Sequence, residues 1–315
     1  MSLVDRIKSA KKTAFSFELL PPLKGNGIES VFRTIEILRE FDPKYINITT
    51  HRSEQIFRET SEGLFEQISH RKRPGTVAVA AAIQNKYKIP VVPHILCSGF
   101  TKEETEYVLI DLKFLGINDL LLLRGDKAKH EKEFVASGNR YATELQEQVN
   151  RFNRGIFADG STMKNIEEPF SYGMACYPEK HEEAPNFESD LYWAKQKVEN
   201  GAEYLVTQMF FDNEKYHRFV EKARAFGINV PIIPGLKPIT LMSQLTVLPK
   251  IFQSEIPESF AKELRKCKTD EEAVEVGVEW CVQQAKDLIA HQVPSIHFYS
   301  MMATQSVKRV AEQVF

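Results

Sequence analysis

Two hydrophobic rhythms alternate along the chain. Short runs rich in β-branched and aromatic residues read as strands: "TAFSFEL" (13–19), "KYINITT" (44–50), "PVVPHILC" (90–97), "DLLLLRG" (119–125), "FSYGMACY" (170–177), "EYLVTQMFF" (203–211), "VPIIPGL" (230–236) and "SIHFYS" (295–300). Segments between them, such as "GIESVFRTIEILREF" and "TKEETEYVLIDLKFLG", repeat apolar residues every three or four positions and carry charges on the opposite face, as amphipathic helices do. Gly116 closes the second of these as a C-cap. Eight strand candidates, each followed by a helix candidate, predict an α/β chain of the (β/α)8 TIM-barrel class, a single domain over residues 1–315. An open doubly wound sheet fits less well, because no GxGxxG turn follows the first strand and no Pro/Gly/Ser-rich linker divides the chain.

Composition narrows the ligands. The 41 basic and 43 acidic residues nearly cancel, to a formal charge of −2, so no overall field recruits nucleic acid or an anionic membrane. "MSLVDRIKSAKK" has charges where a signal peptide needs an apolar run, and no stretch reaches membrane-spanning length. A cytoplasmic protein is expected. Cys97, Cys176, Cys267 and Cys281 are widely spaced, with neither a CxxC pair nor zinc-ligand spacing, and read as reduced structural thiols.

In a barrel of this class, active sites gather at the C-terminal ends of the strands. Those ends carry Glu18, Thr49, Thr50, His94, Arg124, Asp126, Tyr177, Gln208 and Tyr299. Taken singly, each could be a loop anchor, His94 a satisfied core histidine and Gly125 a tight turn. Together they are a costly way to hold loops, because polar groups closed into a pocket without partners lose free energy. No HxH or clustered ligand set appears, so no metal is expected. The cysteines lie in apolar strands without an adjacent histidine, which argues against a thiol nucleophile. Acid/base work around an organic ligand remains, and Glu18, a carboxyl in the apolar "FSFELLPP", is the candidate acid, because burial raises a carboxyl pKa.

Six motifs in order then carry a resemblance: "FSFELLPP", Leu123–Asp126 (LRGD), Tyr177–Ala184 (YPEKHEEA), Lys197–Asp212, Ile232–Pro238 (IIPGLKP) and His297–Tyr299 (HFY). The chain resembles the methylenetetrahydrofolate reductases of the bacterial, single-domain type, essentially end to end. The resemblance implies reduction of 5,10-methylenetetrahydrofolate to 5-methyltetrahydrofolate in one-carbon metabolism and methionine supply, by ping-pong hydride transfer from NADH or NADPH through FAD, in a homo-oligomer. It implies that Glu18 is the general acid for N10 and that Asp126, the second catalytic residue, sits near the flavin pyrimidine edge and the pterin, where its charge would favour the cationic intermediate. Gln208 would hydrogen-bond the pterin or the nicotinamide amide, and Gln244 would contact folate. Thr49, His94, Arg124, Gly125, Asp126 and Ala142 would hold the isoalloxazine and ribityl chain, and Tyr177, His181, Asp190 and Lys197 the phosphates and adenosine. The chain departs from the family pattern at "THRSE" after Thr49, at "SMMATQ" after HFY, with Met302 and Ala303, and at Leu248, where bacterial members often have a phenylalanine. Ending at Phe315, it is expected to lack control by S-adenosylmethionine. Another flavin-dependent pterin reduction, or a non-catalytic barrel subunit, are the alternatives left by the residues.

Overall fold

A computed structural model describes residues 2–126, 134–165, 168–300 and 303–315. In chain order its strands are β1 (Ala14–Leu19), β2 (Tyr45–Ile48), β3 (Glu54–Glu59), β4 (Phe65–His70), β5 (Val91–Leu96), β6 (Asp119–Leu123), β7 (Ser171–Cys176), β8 (Tyr204–Thr207), β9 (Ile232–Ile233), β10 (Gly235–Leu236) and β11 (Ser295–Phe298). The principal helices are α1 (Leu3–Ser9), α2 (Glu29–Leu38), α3 (Thr76–Tyr87), α4 (Lys102–Phe114), α5 (Ala142–Asn153), α6 (Phe187–Glu199), α7 (Asn213–Ala225) and α8 (Gln244–Phe252), followed by α9 (Glu258–Lys266), α10 (Asp270–Ala290) and α11 (Thr304–Val314). Every expected strand run contains a strand, and the fold class is α/β, of the (β/α)8-barrel kind. The chain divides into two compact units, Met1–Leu19 with Arg33–Asn47 and Ser171–Phe315, and Leu20–Phe32 with Ile48–Phe170.

In the first unit, β10, β11, β1 and β2 are successive neighbours in one sheet, and β7, β8 and β9 form a second run. Pro234 separates β9 from β10: β9 pairs with β8 through Leu205↔Ile232, and β10 pairs with β11 through Leu236↔Phe298. A proline cannot donate to the ladder, so one expected strand becomes two short ones that serve opposite neighbours. All of β1 is buried, as expected of a strand covered on both faces. Phe15 and Phe17 pack on one face, with Phe15 against Phe41, Phe298 and Phe315. Ser16 and Glu18 therefore point to the other.

In the second unit, β5 and β6 run parallel, with His94↔Leu121 and Leu96↔Leu123 in register. Gly116 follows α4 at φ +68°, and the amides of Gly116 and Ile117 bond back to Lys113 and Leu112, which gives the glycine its C-terminal role. The hairpin of β3 and β4 had no counterpart in the expected strands. Phe57 and Phe65 on it are exposed and its other positions mostly polar, so it lacks the apolar run that marks a core strand.

Candidate active site

Glu18 lies near the end of β1, 5 % exposed. Its register continues from Phe17↔Phe298 to place it level with Tyr299, and Leu236↔Phe298 places Lys237 at that same level. Lys237 is 4 % exposed. Burial pushes the Glu18 carboxyl up to about 7, partly offset by the charge of Lys237. Burial lowers Lys237, and Glu18 opposes that shift. The Ser300 hydroxyl donates to the Glu18 carbonyl at 2.5 Å and fixes the strand end. Tyr299 donates to the Thr207 carbonyl at 2.6 Å, and its ring lies over Gly235, where a Cβ would meet Cε2 at 2.4 Å. A carboxyl that exchanges its proton near neutrality, held among fixed neighbours, has the properties of a general acid.

Also in this unit, Tyr177, His181, Asp190 and Lys197 come together as a group. The Tyr177 and His181 rings meet edge-on at 4.7 Å, the His181 amide donates to Asp190 Oδ2 at 3.0 Å, and Lys197 Nζ lies 5.9 Å from the Tyr177 centroid and donates to the Ala175 carbonyl at 2.8 Å. Burial lowers the Lys197 ammonium, with Asp190 acting against it. A cation with part of its hydration removed suits a phosphate.

Gln208 and Gln244 are partly committed to the backbone. Gln208 Oε1 accepts from the Met209 amide at 2.9 Å, and Gln244 Oε1 accepts from Thr240 and Leu241 at 2.8 and 3.2 Å. Leu248 is buried in a cluster with Met209, Phe211, Ile239 and Phe260. Met302 lies outside the described residues; Ala303 is 8 % exposed.

The second unit holds the remaining candidates. Thr49 Oγ1 lies 3.2 Å from His51 Nε2, and Thr50 donates to the His94 carbonyl at 2.5 Å. His94 is 5 % exposed, and burial, followed by the nearby His51, pushes it down to about 3. It is a neutral imidazole at physiological pH, and its buried Nε2 has no hydrogen-bond partner among the described residues. The Ser98 amide donates to the Arg124 carbonyl at 2.9 Å and the Ser98 hydroxyl to the Asp126 carbonyl at 2.8 Å, so one serine shapes the LRGD turn. Gly125 takes φ +79°, and a Cβ there would lie 3.0 Å from Ser98 Cβ. The Arg124 guanidinium lies over Phe134 and Tyr141, at 4.4 and 5.1 Å from their centroids. Asp126 is exposed, and Ala142 opens α5.

Lys237 was missed by sequence reasoning. In "IIPGLKP" it follows a glycine and a leucine between prolines, as a loop lysine would, and its burial is what singles it out.

A family profile described as methylenetetrahydrofolate reductase matches residues 3–314. Methylenetetrahydrofolate reductase (NADH) 1 of Arabidopsis thaliana is 28 % identical over 97 % of this chain and 49 % of its own length. The 5,10-methylenetetrahydrofolate reductase of Escherichia coli K12 is 26 % identical over 91 % of this chain and 85 % of its own. The chain spans about half the length of the first curated relatives it matches. Among solved structures, an uncharacterised Clostridium thermocellum protein that binds two copies of 5-methyl-5,6,7,8-tetrahydrofolic acid superposes with a TM-score of 0.57 at 15 % identity, over 99 % of this chain and 98 % of that one, which is a likeness of fold.

Proposed function

The chain belongs to the methylenetetrahydrofolate reductase family, and on that premise we propose that it reduces 5,10-methylenetetrahydrofolate to 5-methyltetrahydrofolate, with FAD as bound cofactor and NADH or NADPH as donor, within one catalytic domain. The observation that carries this reading is Glu18: a carboxyl 5 % exposed, pushed up to about 7, at the end of a strand. The substrate's methylene bridge opens to a 5-iminium cation only as N10 departs, and N10 departs readily once protonated. With its pKa at about 7, Glu18 is protonated in about half of the molecules at neutral pH, and the protonated form donates to N10. Lys237, beside it, keeps the carboxyl from becoming too weak an acid to release that proton.

Each unit by itself carries residues that suit part of a flavin. In the second, the buried, unpartnered Nε2 of neutral His94 offers a hydrogen bond and Gly125 keeps the chain narrow at the turn; in the first, Lys197 supplies a positive charge for a pyrophosphate. Thr49, Arg124, Asp126 and Ala142 would accompany His94 and Gly125 on the ring and ribityl chain, with Tyr177, His181 and Asp190 beside Lys197. When bound, the flavin accepts hydride from the nicotinamide and passes it to the one-carbon unit. In the second unit the charge of Asp126 would favour a cationic ligand; in the first, Gln208 and Gln244 would orient a pterin through the amide groups that their backbone bonds do not use.

Anaerobic bleaching of the flavin with NADH or NADPH in separate cuvettes, followed by methylenetetrahydrofolate, tests the reading. Reoxidation by the folate is expected and the faster bleaching names the donor. Bleaching with no reoxidation by the folate would overturn the assignment.

A further inference from the structure

Asn47 is two residues beyond Tyr45 on β2, so their side chains share one face of the strand. Tyr45 identifies that face: its ring is parallel to that of His297, at 2° and 6.2 Å, and His297 Nδ1 lies 3.0 Å from Ser16 Oγ. Ser16 and His297 are register partners, and two residues further along their strands come Glu18 and Tyr299. Asn47 is likewise two residues beyond Tyr45. It thus belongs with Glu18, Tyr299 and Lys237, one step nearer the strand ends than the layer of Ser16, Tyr45 and His297.

Asn47 is 1 % exposed, and neither its Nδ2 nor its Oδ1 has a hydrogen-bond partner among the described residues. Burying a carboxamide with both groups unsatisfied opposes folding, and an apolar side chain of similar volume would avoid the cost. A polar residue kept in such a place answers to something other than the protein's own packing. Its chemistry limits what that can be. A carboxamide is neutral and offers one acceptor beside two donors, which suits a planar NH–C=O edge and suits carboxylate or phosphate less well than a lysine or arginine would.

We propose that Asn47 is a ligand-binding residue whose amide pairs with the NH–C=O edge of the heterocycle bound against Glu18. The proposal rests on the folate-reductase reading, in which two ring systems carry that edge: the pterin of the substrate and the pyrimidine of the flavin.

Asn47→Leu removes both polar groups and keeps the number and branching of the side-chain heavy atoms. Three quantities are compared with wild type on the full chain: the thermal midpoint without ligand, the FAD affinity of the flavin-free chain, and the 5-methyltetrahydrofolate affinity of the FAD-loaded chain. The midpoint is expected to hold or rise, while affinity for one of the two ligands falls about 10- to 100-fold. The ligand that loses affinity identifies the ring. Should Asn47→Leu fail to fold, Asn47→Ala carries the same comparison. Any other pattern, including unchanged affinities or a midpoint and both affinities falling together, overturns the proposal. Wild-type protein that binds neither ligand would instead overturn the folate-reductase reading on which it rests.

Discussion

Glu18 and Lys237 stand level with each other on either side of Tyr299, both less than a tenth exposed, and each charge opposes the shift that burial imposes on the other. The pair sets an acid of nearly neutral strength in a place where isolation would make it weaker still.

The pH dependence of the folate step follows from this pair. On the proposed role Glu18 donates only while protonated, so the step should be fast below its pKa of about 7 and fall as pH rises through it. Lys237→Met removes the charge that holds the carboxyl down. The midpoint of the falling limb should then move upward by about one pH unit, measured as the rate of anaerobic flavin reoxidation by methylenetetrahydrofolate. An unchanged midpoint would detach Lys237 from Glu18.

His94 should stay neutral across the working range, because burial holds it down to about 3. Its ring nitrogens, followed by NMR, are expected to show no titration between about pH 5 and 8. A midpoint near the ordinary histidine value would mean that the ring reaches water.

Gly235 is needed where the Tyr299 ring crosses the strand. In Gly235→Ala the new methyl would meet Tyr299 Cε2 at 2.4 Å and the Thr207 carbonyl oxygen at 2.7 Å. A loss of about 1–3 kcal/mol is expected in denaturant unfolding, and an unaltered midpoint would show that the ring has room to move.

Much of this architecture is legible in the residues, for physical reasons that also explain the gaps. Strands such as Val91–Leu96 and Tyr204–Thr207 are buried, so their sequences are continuous apolar runs. The β3–β4 hairpin is exposed and mostly polar, and so has no such run. The break at Pro234 depends on which neighbour each half-strand pairs with, which is a property of the assembled sheet. Glu18 stood out because an acid within "FSFELLPP" is unusual, whereas Lys237 follows a glycine and a leucine after two prolines and resembles a surface loop until its burial is known. The backbone bonds that occupy Gln208 and Gln244 leave no mark in the sequence.

On the proposed role Glu18 serves the folate step alone. Transfer of hydride from nicotinamide to flavin expels no leaving group and needs no proton from it. Glu18→Gln keeps the volume but cannot donate a proton of comparable acidity. Stopped-flow measurement of the two half-reactions in this variant tests the claim most directly. Flavin reduction by the nicotinamide should stay close to the wild-type rate, while reoxidation by methylenetetrahydrofolate falls about 10²- to 10⁴-fold; an equal loss in both half-reactions would contradict the assignment and leave Glu18 a structural residue.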